Sequence, residues 1–140
     1  MTPAAELRIP AQPEYVGLAR LVIAQAARQA GVTQDRVQDV KIAVAEALTL
    51  AVRAQAERGE PAPVDVSFGA TDEGFQVVVR GLDTTATAPD DIVDAGPVVL
   101  DTQLSFTLIE GFTEETSYAA DGSSVCLRFA VGAGADDPIE

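Results

Sequence analysis

Gln38-Asp-Val-Lys-Ile-Ala-Val-Ala-Glu-Ala-Leu-Thr-Leu-Ala-Val52 is the stretch on which the fold turns. Val37, Val40, Val44, Ala47, Leu48 and Ala51 fall on one stripe at the spacing of an α-helix. Ile42, Ala43 and Leu50 make a second stripe, so the middle of the segment is apolar round most of its circumference. A helix of that kind is buried on two sides. Thr33 stands where an N-cap belongs, with Asp35 in the first turn, and Arg58-Gly-Glu-Pro-Ala-Pro63 ends the helix.

Upstream, Ala5-Glu-Leu-Arg-Ile-Pro10 alternates polar and apolar residues and stops at a proline, which predicts a short edge strand. Pro13-Glu14 opens a first helix and Gly31 closes it. Leu18, Leu21, Val22 and Ile23 are its apolar residues and are assigned to the core. Downstream, Val64, Val66 and Phe68 alternate with Asp65 and Ser67, Asp72-Glu73-Gly74 turns the chain, and Phe75–Arg80 returns it as a hairpin. Residues 82–102 have no period and predict a long loop. Leu104, Phe106, Leu108, Ile109 and Phe112 suit a short third helix; Thr116–Ala119 and Val125–Val131 predict a second hairpin about Asp121-Gly122. Cys126, between apolar neighbours in the last strand, reads as inert core. The order predicts an α+β two-layer sandwich, a mostly antiparallel sheet covered on one face by about three helices. It makes one domain over 1–131, with a disordered acidic tail at 132–140.

Composition narrows the chemistry. The 140 residues include 9 Lys+Arg against 22 Asp+Glu, a net charge of -13. Nonspecific affinity for nucleic acid comes from cations, so direct nucleic-acid binding is not expected. The chain has no His, which excludes His bases, His zinc ligands and Ser-His-Asp triads. The single cysteine cannot form an internal disulfide, and no apolar run approaches the ~20 residues of a membrane span. A cytoplasmic protein with neither resident metal nor membrane contact is expected.

Ile9-Pro-Ala-Gln-Pro-Glu-Tyr-Val-Gly-Leu-Ala-Arg20, followed by the Gln38–Val52 stretch and later by Leu108-Ile-Glu110 and Phe112-Thr-Glu-Glu115, resembles the bacterial anti-sigma serine kinases of the GHKL (Bergerat) ATPase superfamily. The resemblance covers most of residues 5–131. It implies three nucleotide-binding boxes. In the first, a glutamate activates or orients the substrate serine and an asparagine binds Mg²⁺; here Glu46 remains and Leu50 stands at the asparagine position. Leucine offers no oxygen to a hard cation. The second box carries an adenine-binding aspartate. Direct alignment places Gly81 there, and a two-residue slip would bring in Asp83. The third is a Gly-Leu-Gly-Leu helix start that cradles phosphate; here it reads Gln103-Leu-Ser105-Phe106. Residues 82–102 correspond to the ATP lid.

No Lys or Arg occurs from residue 81 to 127, a segment with nine acids. The half that would hold a polyanionic nucleotide is thus the most acidic part of the chain. The expectation is an anti-sigma-factor-like binding protein without ATP, Mg²⁺ or kinase activity. Its partners would be a sigma factor or an anti-anti-sigma (STAS-domain) protein, and the resemblance implies a homodimer. Glu46 would be a relic base, Leu50 core filling, and Arg53 a surface or partner contact. The alternative is an active ATP-dependent serine kinase using Glu46 and Asp83.

Overall fold

Alternation in the strands and the two-sided apolar pattern of the long helix together decide how the chain is layered. The computed structural model describes residues 5–83 and 97–131, and of residues 97–102 the backbone alone. The expected tail at 132–140 and residues 84–96 of the expected loop lie outside the described residues. The elements run β1 (Ala5–Ile9), α1 (Glu14–Ala30), α2 (Gln34–Ala56), β2 (Val64–Thr71), β3 (Gly74–Arg80), α3 (Pro97–Gly111), β4 (Glu115–Tyr118) and β5 (Ser124–Phe129). The described strands form one sheet in the order β1-β2-β3-β5-β4, every pairing antiparallel. The three helices lie on one face, so the α+β two-layer sandwich stands.

Register places the core. Val64, Val66 and Phe68 from β2, Phe75, Val77 and Val79 from β3, and Val125, Leu127 and Phe129 from β5 all point to the helices and are buried. Phe75 and Phe129 sit side by side, ring centroids 6.5 Å apart. Against them α2 buries Val37, Val40, Ala43, Val44, Ala47, Leu48, Leu50 and Ala51, with α1 packed on one flank and α3 on the other. Both apolar stripes of α2 are thereby used, except that Ile42 is left 37% exposed at their margin.

Local signals set the ends of the elements. Gly31 adopts φ 105° after α1, and the Gly31 and Val32 N–H groups donate to the carbonyls of Arg28 and Ala27, a Schellman closure. Gly74 needs φ 136°, and a Cβ there would strike the carbonyl oxygen of Phe129. Thr33 takes the N-cap position with extended backbone, but its carbonyl rather than its hydroxyl accepts the first helical N–H groups. Arg36 then ties the start of α2 to Glu114 beyond α3 at 3.0 Å.

Three expectations are corrected. Leu18, Leu21 and Val22 are 55%, 54% and 39% exposed, not core. Only Ile23 of that group is buried, with Ala19, Ala24 and Ala27 beside it, because small residues let α1 approach its neighbours. The third helix begins at Pro97, six residues before the expected start near Gln103, so part of the expected loop is helical. Cys126 lies on the uncovered face of the sheet, half-buried, because Val125 and Leu127 on either side take the core positions. Burial, then the charge of Glu115, pushes its thiol pKa up against a smaller opposing effect of Arg128, which keeps it protonated and unreactive. No helix among the described residues is long and apolar enough to cross a membrane.

Candidate functional site

The side chains that matter lie in two places along α2, where it meets α3 and where its far end meets the end of β3. Glu46 is half-buried in the middle of α2. Across from it on α3, the Ser105 hydroxyl donates to Glu46 Oε1 at 2.7 Å. Ser105 is itself buried, so the bond is shielded from water and hydroxyl and carboxylate satisfy one another. One turn beyond Glu46, Leu50 is buried at 8% exposure and counts among the core residues. Gln103 is half-buried in the second turn of α3, and Phe106 on the same helix packs edge-on against Tyr118 of β4, centroids 5.8 Å apart.

Gly81 sits at φ 103° just past β3. Its N–H and that of Leu82 both donate to the Ser123 carbonyl, at 3.0 and 3.1 Å. Its own carbonyl accepts from Gln55 Nε2 at 2.9 Å, while Gln55 Oε1 accepts the Ala62 N–H at 2.9 Å. Gln55 therefore clamps the end of β3 to the segment leaving α2. Asp83, two residues on, is exposed. The structure brings Glu46 and Ser105 together at the α2–α3 contact, places Leu50 in the core and Gln103 on α3, and holds Gly81 and Asp83 at the end of β3.

Gln55 belongs to no motif. Its signal in the sequence is its position two turns beyond Leu48, on the stripe that faces the core. A glutamine there requires partners for both ends of its amide.

At the positions that the resemblance assigns to a magnesium nucleotide, the chain presents an apolar side chain, a glycine and helical backbone. Leu50 is hydrocarbon and offers no oxygen to a hard cation. A phosphate cradle needs N–H groups left unbonded at a helix start. Gln103 and Ser105 lie inside a helix that begins at Pro97, so their N–H groups are directed to carbonyls of their own helix. Gly81 has no side chain to read adenine. No lysine or arginine lies between residues 81 and 127, and of the acids there Glu114 and Glu115 are paired with Arg36 and Arg128.

The Tyr118 phenol, behind Phe106, has its pKa pushed up to about 12, by burial first and then by the charge of Glu110. Asp121 lies in the turn between β4 and β5, where the Ser123 hydroxyl and N–H donate to it at 2.7 and 3.0 Å and lower its pKa.

The family model described as a histidine kinase-like ATPase domain matches residues 9–129. The serine-protein kinase RsbW of Bacillus subtilis is 40% identical over 74 residues, covering 53% of this chain and 46% of that protein. RsbW of Bacillus velezensis is 42% identical over 74 residues. The chain thus spans about half the length of these Bacillus relatives. RsbW of Staphylococcus aureus (strain bovine RF122 / ET3-1) is 30% identical over 132 residues, covering 87% of this chain and 83% of that protein. With the sheet order, the α2 stripe and the family match all in agreement, the chain belongs to the histidine kinase-like ATPase domain family, alongside the RsbW serine-protein kinases.

Proposed function

We propose that this chain is a non-phosphorylating regulator of the anti-sigma type. It holds a sigma factor, or an anti-anti-sigma STAS-domain protein, by surface complementarity and does not turn over ATP. The observation that carries the reading is the Ser105–Glu46 hydrogen bond. By resemblance, Glu46 is the carboxylate that meets the substrate serine, and Ser105 stands at a position of the phosphate-cradling glycines. Here the chain's own hydroxyl occupies that carboxylate, and a side chain fills the space in which a bare backbone would approach phosphate. Buried Leu50 supports the same reading, because it removes the metal ligand and fills its volume.

Charge supports the choice of partner. Residues 81–127 carry nine acids and no base. Such a field speeds encounter with a basic protein surface and suppresses acidic competitors. A homodimer, implied by the resemblance, belongs to the same proposal.

A second reading has its own support: Glu46 is retained, and the relatives carry the name serine-protein kinase. That reading is an active kinase with a divergent site. Calorimetry with magnesium and ATP separates the two. The expected result is no binding heat up to about 1 mM nucleotide. A micromolar Kd overturns the first reading and establishes the second. Affinity capture with the sigma factors and STAS proteins of the source organism is expected to yield a stable complex without phosphate transfer, and capture of none of them counts against the proposal.

A further inference from the structure

The seam between α1 and α2 is open at one part. Val16, Gly17 and Arg20 of α1 face Thr49, Val52 and Arg53 of α2 across a cavity of about 540 Å³. Each group recurs at helical spacing, so the cavity follows facing stripes of two antiparallel helices. Glu46, Leu50 and Ser105 do not line it, so it is separate from the site described above.

Its chemistry differs from the rest of the molecule. Two of the nine cationic side chains of a chain with net charge -13 border it. Arg20 Nε is buried and finds no hydrogen-bond acceptor among the described residues. A buried donor left unmade is costly, so an acceptor brought by a ligand is favoured at this nitrogen. Of the other wall residues Thr49 is polar, its hydroxyl donating to the Ala45 carbonyl at 2.7 Å, and Pro13, Val16, Val52 and Ala56 are apolar.

Gly17 is the third observation. It lies inside α1, where alanine is the better helix former. Its backbone is not left-handed, and a Cβ built on it meets nothing within 4 Å. Neither backbone geometry nor packing asks for glycine. What the missing side chain does is keep the cavity open between the two arginines and the apolar wall.

We propose that this cavity binds a small organic anion, its carboxylate on Arg20 and its apolar body over Gly17 between Val16 and Val52. A bare inorganic ion would leave the hydrocarbon wall uncovered and most of the volume unfilled, whereas concave, mostly apolar sites with a few placed polar groups are the usual small-molecule sites. The proposal does not depend on whether the Glu46 site binds nucleotide.

The test titrates sodium hexanoate into the isotope-labelled full chain while the Arg20 Nε–Hε and Gly17 amide resonances are followed by NMR. Both are expected to shift saturably, with a Kd below about 5 mM. n-Hexanol is expected to leave the Arg20 resonance in place, and inorganic phosphate to give no saturation at about 10 mM. Gly17→Leu is expected to retain the folded amide spectrum and weaken hexanoate binding by about tenfold or more. Should the leucine disturb the helix seam, Gly17→Ala reports the same thing, with weaker binding alongside a raised Tm. Arg20→Gln is expected to weaken binding similarly. No saturable shift with hexanoate overturns the proposal. Saturation by phosphate equal to that by hexanoate overturns it too, as does undiminished binding in the Gly17 and Arg20 variants.

Discussion

Gln55 and Ser105 are the buried polar side chains among the described residues, and both are fully engaged. They hold the two halves of the site in fixed positions, Ser105 joining α3 to α2 and Gln55 joining the end of β3 to the segment after α2. Tyr118 behaves differently: its hydroxyl is buried beside Glu110. Burial and the nearby Glu110 lift its pKa from 10.0 to about 12. The folded phenol therefore keeps its proton at a pH where the unfolded one loses it. Between those two values the unfolded chain binds fewer protons than the folded one, so stability falls as pH rises. Below pH 10.0 this residue contributes no pH dependence. Urea midpoints of the chain and of Tyr118→Phe are expected to run parallel up to about pH 10 and to converge or cross above it, as the tyrosine chain loses stability faster. Parallel curves to about pH 11.5 would show that the phenol is not shielded in solution.

At the scale of elements, α2 is the piece on which the rest is built. It meets the sheet, α1 and α3, and its apolar residues on both stripes are buried, apart from Ile42. Deleting a buried side chain there removes transfer energy and leaves a cavity. Leu48 is fully buried, and Leu48→Ala is expected to cost about 3 kcal/mol in guanidinium unfolding. Leu21 is half exposed on α1, and Leu21→Ala is expected to stay within about 0.5 kcal/mol. A large loss at Leu21 would mean that α1 is covered in solution. The two leucines look alike in sequence. What separates them is that α1 turns alanines and Ile23 inward, a choice made by how closely its backbone approaches its neighbours. The start of α3 at Pro97 was hidden for another reason: Pro97-Val-Val-Leu-Asp-Thr102 carries no helical period of its own, and proline at a first helical position is a weak signal beside it.

For the whole molecule, the charge of -13 sets the long-range energetics. Ion pairs at Arg8–Asp65, Arg36–Glu114 and Arg128–Glu115 are exposed and add little stability each. Self-repulsion among the remaining acids acts on the compact state and is screened by salt. Raising NaCl from about 20 mM to about 500 mM is expected to raise Tm by about 2–5 °C. A fall in Tm would mean that the surface ion pairs outweigh the repulsion. The same field bears on partner choice, since an acidic surface gathers basic proteins at low salt and releases them at high salt.

Period and punctuation were enough for the order of elements, the antiparallel hairpins and the burial of α2, while the family came from the resemblance of particular stretches to known sequences. Those features depend on local spacing, and local spacing is written residue by residue. The expectation that Leu50, Gly81, Gln103 and Ser105 stand at the nucleotide-box positions rests on the resemblance and was stated without coordinates. Tertiary structure alone decided which face of α1 is buried, that Cys126 lies outside the core, and that Ser105 reaches Glu46 across a sequence separation of 59. It alone decided that Gln55 clamps Gly81 and that Gly17 lines a cavity between α1 and α2. Each of these is a contact between segments far apart in sequence, and a local pattern holds no record of which distant segment will arrive.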